Sequence, residues 1–428
     1  MRPSARVLLA AALVLAAPAA GAEELRAGFG SASLPARVDG AMGGFGGLTT
    51  RRAEGTLDPP EARALVLERG ELRVAIVALD IVIARPNLRD ALLEEVAPLG
   101  FDLLAVIATH THSGPGGYIP GYMAERLTAG EYDPKQPALL AHAAARALDR
   151  AVADLATARL ASGNAPLTLA RNRRFADGAT ENELAVLRAD FADGRAPIVL
   201  FAYGAHASIV TSGSRLYSAD WPGAAREQLA ANGWRAIYLP GPLGDQEPDV
   251  DFGFWPSLDS EREIAKDYGH AIAGAVQSAA DSLAPQADAE LSALERWVES
   301  PPVQVRRFCA LWWTKPLVSG SIDRFLSTRA PFQVLRAGNA ELLFVPAEPG
   351  AAVGLDLRAG IPAPRTRFVV VHANDWLGYV VDPQSYARGS YEACLSFHGS
   401  GMAHWLVLQS TNAIDLLDAR DAGPGERR

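Results

Sequence analysis

Ala64-Leu65-Val66-Leu67-Glu68-Arg69-Gly70-Glu71-Leu72-Arg73-Val74-Ala75-Ile76-Val77-Ala78-Leu79-Asp80 is a pair of apolar runs around a tight turn at Arg69-Gly70, with a carboxylate at the far end. Runs of this length, broken by glycine, predict a β-hairpin. The pattern returns twice. Residues 184–190 and Ile198–Tyr203 flank a turn at Asp193-Gly194 and lead to His206; residues 332–336 and 342–345 flank Gly338-Asn339 and lead to Glu348. Each hairpin is followed by a helical stretch and another apolar strand, at Leu103–Ala108, 236–239 and 368–371, and each of those runs into a polar loop. Three hairpin–helix–strand units predict an α/β fold, with mixed sheets covered by helices. In such folds sites form where strand ends converge. The stretch around residues 291–298, between the second and third units, reads as helical.

The chain has 428 residues, 49% of them hydrophobic and 21% charged, with a mean hydropathy of +0.04. That supplies a large core and excludes a disordered chain. Forty Lys and Arg against 49 Asp and Glu leave a formal charge of −9. A nucleic-acid partner, which needs cationic contacts to phosphate, is not expected. Arg2 and Arg6, the apolar run 7–17, Pro18 and the small residues Ala20-Gly21-Ala22 predict a signal peptide over residues 1–22, cleaved after Ala22. No later apolar stretch reaches the roughly 18–20 residues of a membrane span, so a periplasmic or secreted protein without a transmembrane segment is expected. Residues 23–417 are expected to form one large domain and residues 418–428 a frayed polar tail. Two cysteines, Cys309 and Cys394, allow one disulfide in an oxidising compartment, but spacing alone does not say whether they meet.

The sharpest motif is Thr109-His110-Thr111-His112-Ser113-Gly114-Pro115-Gly116-Gly117, placed just past an apolar strand. Two histidines at i and i+2 beside a glycine-rich turn are presented at a strand tip, where the backbone can approach a ligand closely. His206 and Glu348 close other strands. Two histidines and a glutamate compose a zinc set with an open position for water, in which the metal acidifies that water and polarises a carbonyl. Asp80 and Asp220 are candidates to orient the ligating imidazoles from behind, with Asp245 in the same supporting shell. The aromatic clusters Trp312-Trp313 and Phe252-Gly253-Phe254-Trp255 are candidate walls of an apolar pocket.

These residues resemble the neutral, non-lysosomal ceramidases, zinc-dependent amidases that cleave the N-acyl bond of ceramide. The resemblance runs from about Ala27 to about Gly401. His110 to Gly117 is its most specific part; Gly43-Gly44-Phe45, Asn172-Arg173, Asp220-Trp221-Pro222-Gly223-Ala224-Ala225, Glu348, Tyr379 and Tyr391-Glu392-Ala393 also look like family segments. The resemblance implies His110, His206, Glu348 and Tyr379 as zinc ligands, His112 as a proton-transfer or orienting residue, and Arg173 and Tyr391 as polar groups near the scissile amide. It departs at Gly244-Asp245-Gln246-Glu247-Pro248, where Glu247 takes the place of the family's serine nucleophile. It also departs after Gly401, where the family's C-terminal immunoglobulin-like domain is not expected. The expected function is therefore cleavage of a linear amide, such as an N-acyl lipid, by zinc-activated water, with Glu247 as the base or an additional metal ligand, His112 protonating the leaving amine, and a small-molecule or lipid-like substrate. The alternatives are a zinc hydrolase of a non-sphingolipid ester or amide, and a non-catalytic binding protein that keeps the zinc pocket.

Overall fold

The computed structural model describes residues 23–422 apart from 47–48, 252–256, 287, 307–321 and 323–324. The proposed leader, Cys309 and both aromatic clusters lie outside the described residues.

Eight strands form one sheet: β1 (Arg26–Ser33), β2 (Glu61–Arg69), β3 (Leu72–Leu79), β4 (Leu103–Ala108), β5 (Ala156–Pro166), β6 (Glu183–Phe191), β7 (Ile198–Tyr203) and β8 (Arg235–Pro240). Their spatial order is β8-β7-β6-β5-β1-β2-β3-β4. Only β3–β4 and β7–β8 are parallel; the other pairs are antiparallel. A second sheet has four strands in chain order, β9 (Leu291–Glu299), β10 (Arg329–Ala337), β11 (Ala340–Phe344) and β12 (Thr366–Val370), with β11–β12 its parallel pair.

The three expected units are present, and each is larger than its sequence reading. Each has three antiparallel strands, a helix, a fourth strand parallel to the third, and a closing helix. The helices are α1 (Pro86–Val96) and α2 (Gln136–Ala153), α3 (Asp220–Ala231) and α4 (Leu258–Ser282), and α5 (Ala351–Ala359) and α6 (Met402–Asp421).

Strand alternation builds four layers. In β2, Ala64 and Val66 face α1 and α2, while Leu65 and Leu67 face the second sheet. In β7, Val199 and Phe201 face Trp221 and Leu229 of α3, while Ile198 and Leu200 face inward. The second sheet turns Leu342, Phe344 and Phe368 inward and Leu343 and Val369 outward onto α5 and α6. The result is helices, large sheet, small sheet, helices.

The helical reading of residues 291–298 is corrected: the segment is strand β9, paired with β10 over its length. Leu291 and Ala293 pack on the core between the sheets, and Leu294 and Val298 pack on the outer core. Apolar residues at 291, 294 and 298 therefore mimic a helical stripe, although the strand packs apolar side chains on both of its faces.

Candidate metal centre and active site

The parallel pairs end at Leu79 and Ala108, at Tyr203 and Pro240, and at Phe344 and Val370. His110, His206, Glu348 and His372 all follow within four residues of those ends. A parallel bridge between Thr111 and Ala207 and an antiparallel one between Ile107 and Ala373 tie the loops of the three units together. A further parallel pairing sets Glu348 beside Tyr379.

Four imidazoles and one carboxylate converge there. Glu348 Oε1 lies 3.5 Å from His110 Nε2 and 3.3 Å from His206 Nε2. His112 Nε2 is 3.2 Å from His110 Nε2, and His372 Nε2 is 3.7 Å from Glu348 Oε2. The candidate ligand atoms of His110, His112 and His206, and those of His110, Glu348 and His372, form two groups each spanning no more than 4.8 Å. His110 Nδ1 faces the Val82 carbonyl at 2.6 Å and His206 Nδ1 faces the Gln246 carbonyl at 2.8 Å. Carbonyls only accept, so both rings carry their proton on Nδ1 and turn the Nε2 lone pair toward Glu348.

Several buried polar atoms at the centre lack a partner. His206 Nε2, Glu348 Oε1, His112 Nδ1 and both nitrogens of His372 are buried and have no hydrogen-bond partner. Burial pushes His112, His206 and His372 well below the usual imidazole range and raises Glu348. A proton on Glu348 could serve one imidazole, not two. A divalent cation would satisfy His206 Nε2 and Glu348 Oε1 together, and tetrahedral zinc bound at about 2.0–2.1 Å needs ligand atoms about 3.3–3.4 Å apart. The residues present fit such an ion.

Neighbouring groups complete the wall. Tyr379 hydrogen-bonds Glu348, and its hydroxyl accepts from Arg173 Nη2 at 3.4 Å. Trp376 Nε1 donates to Glu348 Oε2 at 2.9 Å. Arg173 is anchored on Glu392 at 2.9 Å and on the Gly244 carbonyl, and Tyr391 stands edge-on to Tyr379 at the exposed rim. Phe45 stands edge-on to His112 with ring centroids 4.9 Å apart. Gly44 makes that approach possible: at φ +107 a Cβ would lie 2.3 Å from His112 Cα.

The supporting carboxylates sit elsewhere than expected. Asp80 takes two hydrogen bonds from buried Arg226, at 2.8 and 2.6 Å, and one from Thr109. Asp220 binds the backbone N–H groups of Val210 and Trp221. Neither reaches an imidazole, because backbone carbonyls already occupy the Nδ1 positions. Asp245 accepts from Asn172, Gln246 and the backbone N–H of Ala351 at the start of α5, so it supports the loop rather than a ligand.

Glu247 likewise has its partner outside the cluster. It pairs with Arg171 in a short ribbon that alternates buried Gln246, half-exposed Glu247 and buried Pro248. Its Oε1 accepts from Arg171 Nε at 2.8 Å.

His372 carries no role in the sequence reading. The signal was positional: like His110, it follows the last paired residue of its unit's parallel strand by two, and both have positive φ, 53 and 66. Cys394 is disulfide-bonded. No helix among the described residues is long and apolar enough to cross a membrane.

Residues 28–229 match the family described as neutral/alkaline non-lysosomal ceramidase, N-terminal. A neutral ceramidase of Mycobacterium tuberculosis is 24% identical over 261 residues, covering 53% of this chain and 40% of that protein. The chain thus spans well under half of this curated relative. The crystal structure of the neutral ceramidase from Pseudomonas aeruginosa superposes with a TM-score of 0.78 at 21% identity, covering 93% of this chain and 75% of that one. A structure described as a ceramidase complexed with C2 gives the same TM-score and identity.

Proposed function

We propose that this chain, a relative of the neutral/alkaline non-lysosomal ceramidases with a ceramidase-like hydrolase fold, is a zinc-dependent hydrolase of linear N-acyl amides, ceramide-like lipids among them. The observation that carries the reading is the cluster of buried, donorless lone pairs on His206 and Glu348, beside His110.

His110, His206 and Glu348 would hold the ion, with Tyr379 one hydrogen bond away as the candidate fourth ligand. When bound, zinc supplies a Lewis acid that polarises a carbonyl and acidifies water near neutral pH. His112 is the one histidine of the cluster that is only partly buried, and its imidazole, with Nε2 3.2 Å from His110 Nε2, would take a proton from attacking water and return it to the leaving nitrogen. Arg173 keeps its charge beside Tyr379 and Glu392, and its guanidinium supports the negative charge that develops on the carbonyl oxygen. Tyr391 at the rim would contact the substrate as it enters. Export under the leader read in residues 1–22 is consistent with a disulfide-bonded Cys394, since such bonds persist in oxidising compartments.

The test is turnover of the chelator-stripped and zinc-restored protein on a panel of fluorogenic N-acyl amides and esters. Hydrolysis of amides that is lost on stripping and returns with zinc supports the reading. Preference for short esters would redirect it to a non-sphingolipid hydrolase. Zinc binding without turnover on any substrate would make the chain a binding protein.

A further inference from the structure

His372 is fully buried, and neither of its nitrogens has a hydrogen-bond partner. A buried polar group left without a partner is destabilising, so a buried ring of this kind needs an explanation. Its surroundings supply one. The ring lies nearly parallel to His110, with centroids 4.1 Å apart and planes inclined by 15°. Its Nε2 is 3.7 Å from Glu348 Oε2, while the other oxygen of that carboxylate faces His110 and His206. Repetition of the fold has placed two histidines at equivalent positions, two residues past the parallel strands of the first and third units, and the packing of the two sheets has brought them face to face.

We propose that His372 is an additional ligand of the metal centre, a third imidazole that joins the ion from the side of His110 and Glu348. The inference rests on the metal reading above and goes beyond it: His372 is not among the residues the family resemblance implies. His372 differs from the other two in one respect that sets its strength. The Nδ1 atoms of His110 and His206 are fixed by the carbonyls of Val82 and Gln246, whereas Nδ1 of His372 has no such anchor. Anchoring the far nitrogen orients the ring and raises its basicity. His372 is therefore the weakest of the three imidazole ligands, and its loss weakens metal binding without abolishing it.

The experiment uses the full chain, stripped with chelator and reloaded with zinc. His372 has φ 53, so His372→Asn is the conservative variant, because asparagine adopts that region readily; His372→Ala is the second. Zinc affinity by chelator competition, zinc per chain, and the number of imidazoles per zinc from X-ray absorption are measured for each. Thermal unfolding of the stripped proteins confirms that they fold, and His142→Ala, an exposed residue paired with Glu95, is the control. Expected is a loss of affinity of at least about tenfold with one imidazole fewer per zinc, the size of effect that losing even an outer-shell partner produces. His110→Ala should lose zinc outright. Unchanged affinity and imidazole count in both His372 variants would overturn the inference and leave the ring a packing element. If the unaltered chain takes up no divalent ion at all, the metal reading itself fails, and that result is distinct.

Discussion

His206 Nε2 and Glu348 Oε1 lie 3.3 Å apart, and neither atom has a hydrogen-bond donor. Two buried acceptors at that distance repel unless a cation or proton stands between them. Glu348→Gln tests which. The amide supplies N–H donors to the imidazoles and removes a buried charge, so the stripped variant should unfold at or above the temperature of the stripped parent. It should also lose the stabilisation that zinc gives the parent, about 2.7 kcal/mol at a hundredfold excess over Kd. Differential scanning calorimetry with and without zinc reads both quantities. A zinc-induced shift retained in the variant would place the ion elsewhere.

Asp80 separates support of the fold from support of the metal. Its carboxylate is spent on Arg226, both side chains being buried, and His110 is held instead by the Val82 carbonyl. Asp80→Asn leaves the Arg226 charge without its counterion, which costs about 3–5 kcal/mol. Urea unfolding should show that loss, while zinc affinity of the folded fraction stays at the parent value. A drop in affinity with stability intact would return Asp80 to the role of orienting the ligand.

The hairpins were legible because their turns carry glycine or asparagine at Arg69-Gly70, Asp193-Gly194 and Gly338-Asn339, and because the flanking runs are apolar. The strands that complete each unit were harder to read. β1 is interrupted by Gly28 and Gly30, and β9 carries apolar residues on both faces. At the centre, His110, His206 and Glu348 stood out as polar residues at strand ends, and the structure brings them together. His372 did not stand out, since one histidine in an apolar strand end is ordinary until its partner is seen stacked on it. The aspartates were misassigned because carboxylates are common partners of ligating histidines, and a sequence does not reveal that backbone carbonyls have already taken those positions.

Glu247 and Arg173 should differ sharply on mutation. Glu247 is half-exposed and paired with Arg171, a contact worth about 0–1 kcal/mol at a surface. Glu247→Gln should keep kcat/KM within about threefold of the parent, a loss under about 1 kcal/mol. Arg173→Gln removes a partly buried cation beside Tyr379 and should lower kcat by about 10²–10³, the usual effect of deleting one donor to a developing oxyanion. Steady-state kinetics on the best amide substrate decides. A collapse of activity in Glu247→Gln would restore that residue as the base.

Asp220 makes stability depend on pH, with a sign that follows from its burial. The carboxylate is buried against the backbone N–H groups of Ile209, Val210 and Trp221, and burial pushes its pKa up to about 7. The unfolded chain loses this proton near pH 4, about the usual value for aspartate. Between those limits the folded state keeps a proton that the unfolded state has released. Its contribution to stability therefore falls as pH rises, by about 1.4 kcal/mol per unit, and is constant above the folded pKa. Asp220→Asn stays uncharged throughout. The difference in unfolding free energy, variant minus parent, should therefore grow in favour of the variant from pH 4.5 to 7 and then level off. Urea titrations at half-unit intervals measure that difference, and a value constant across the range would mean that Asp220 is already ionised in the folded protein at pH 4.5.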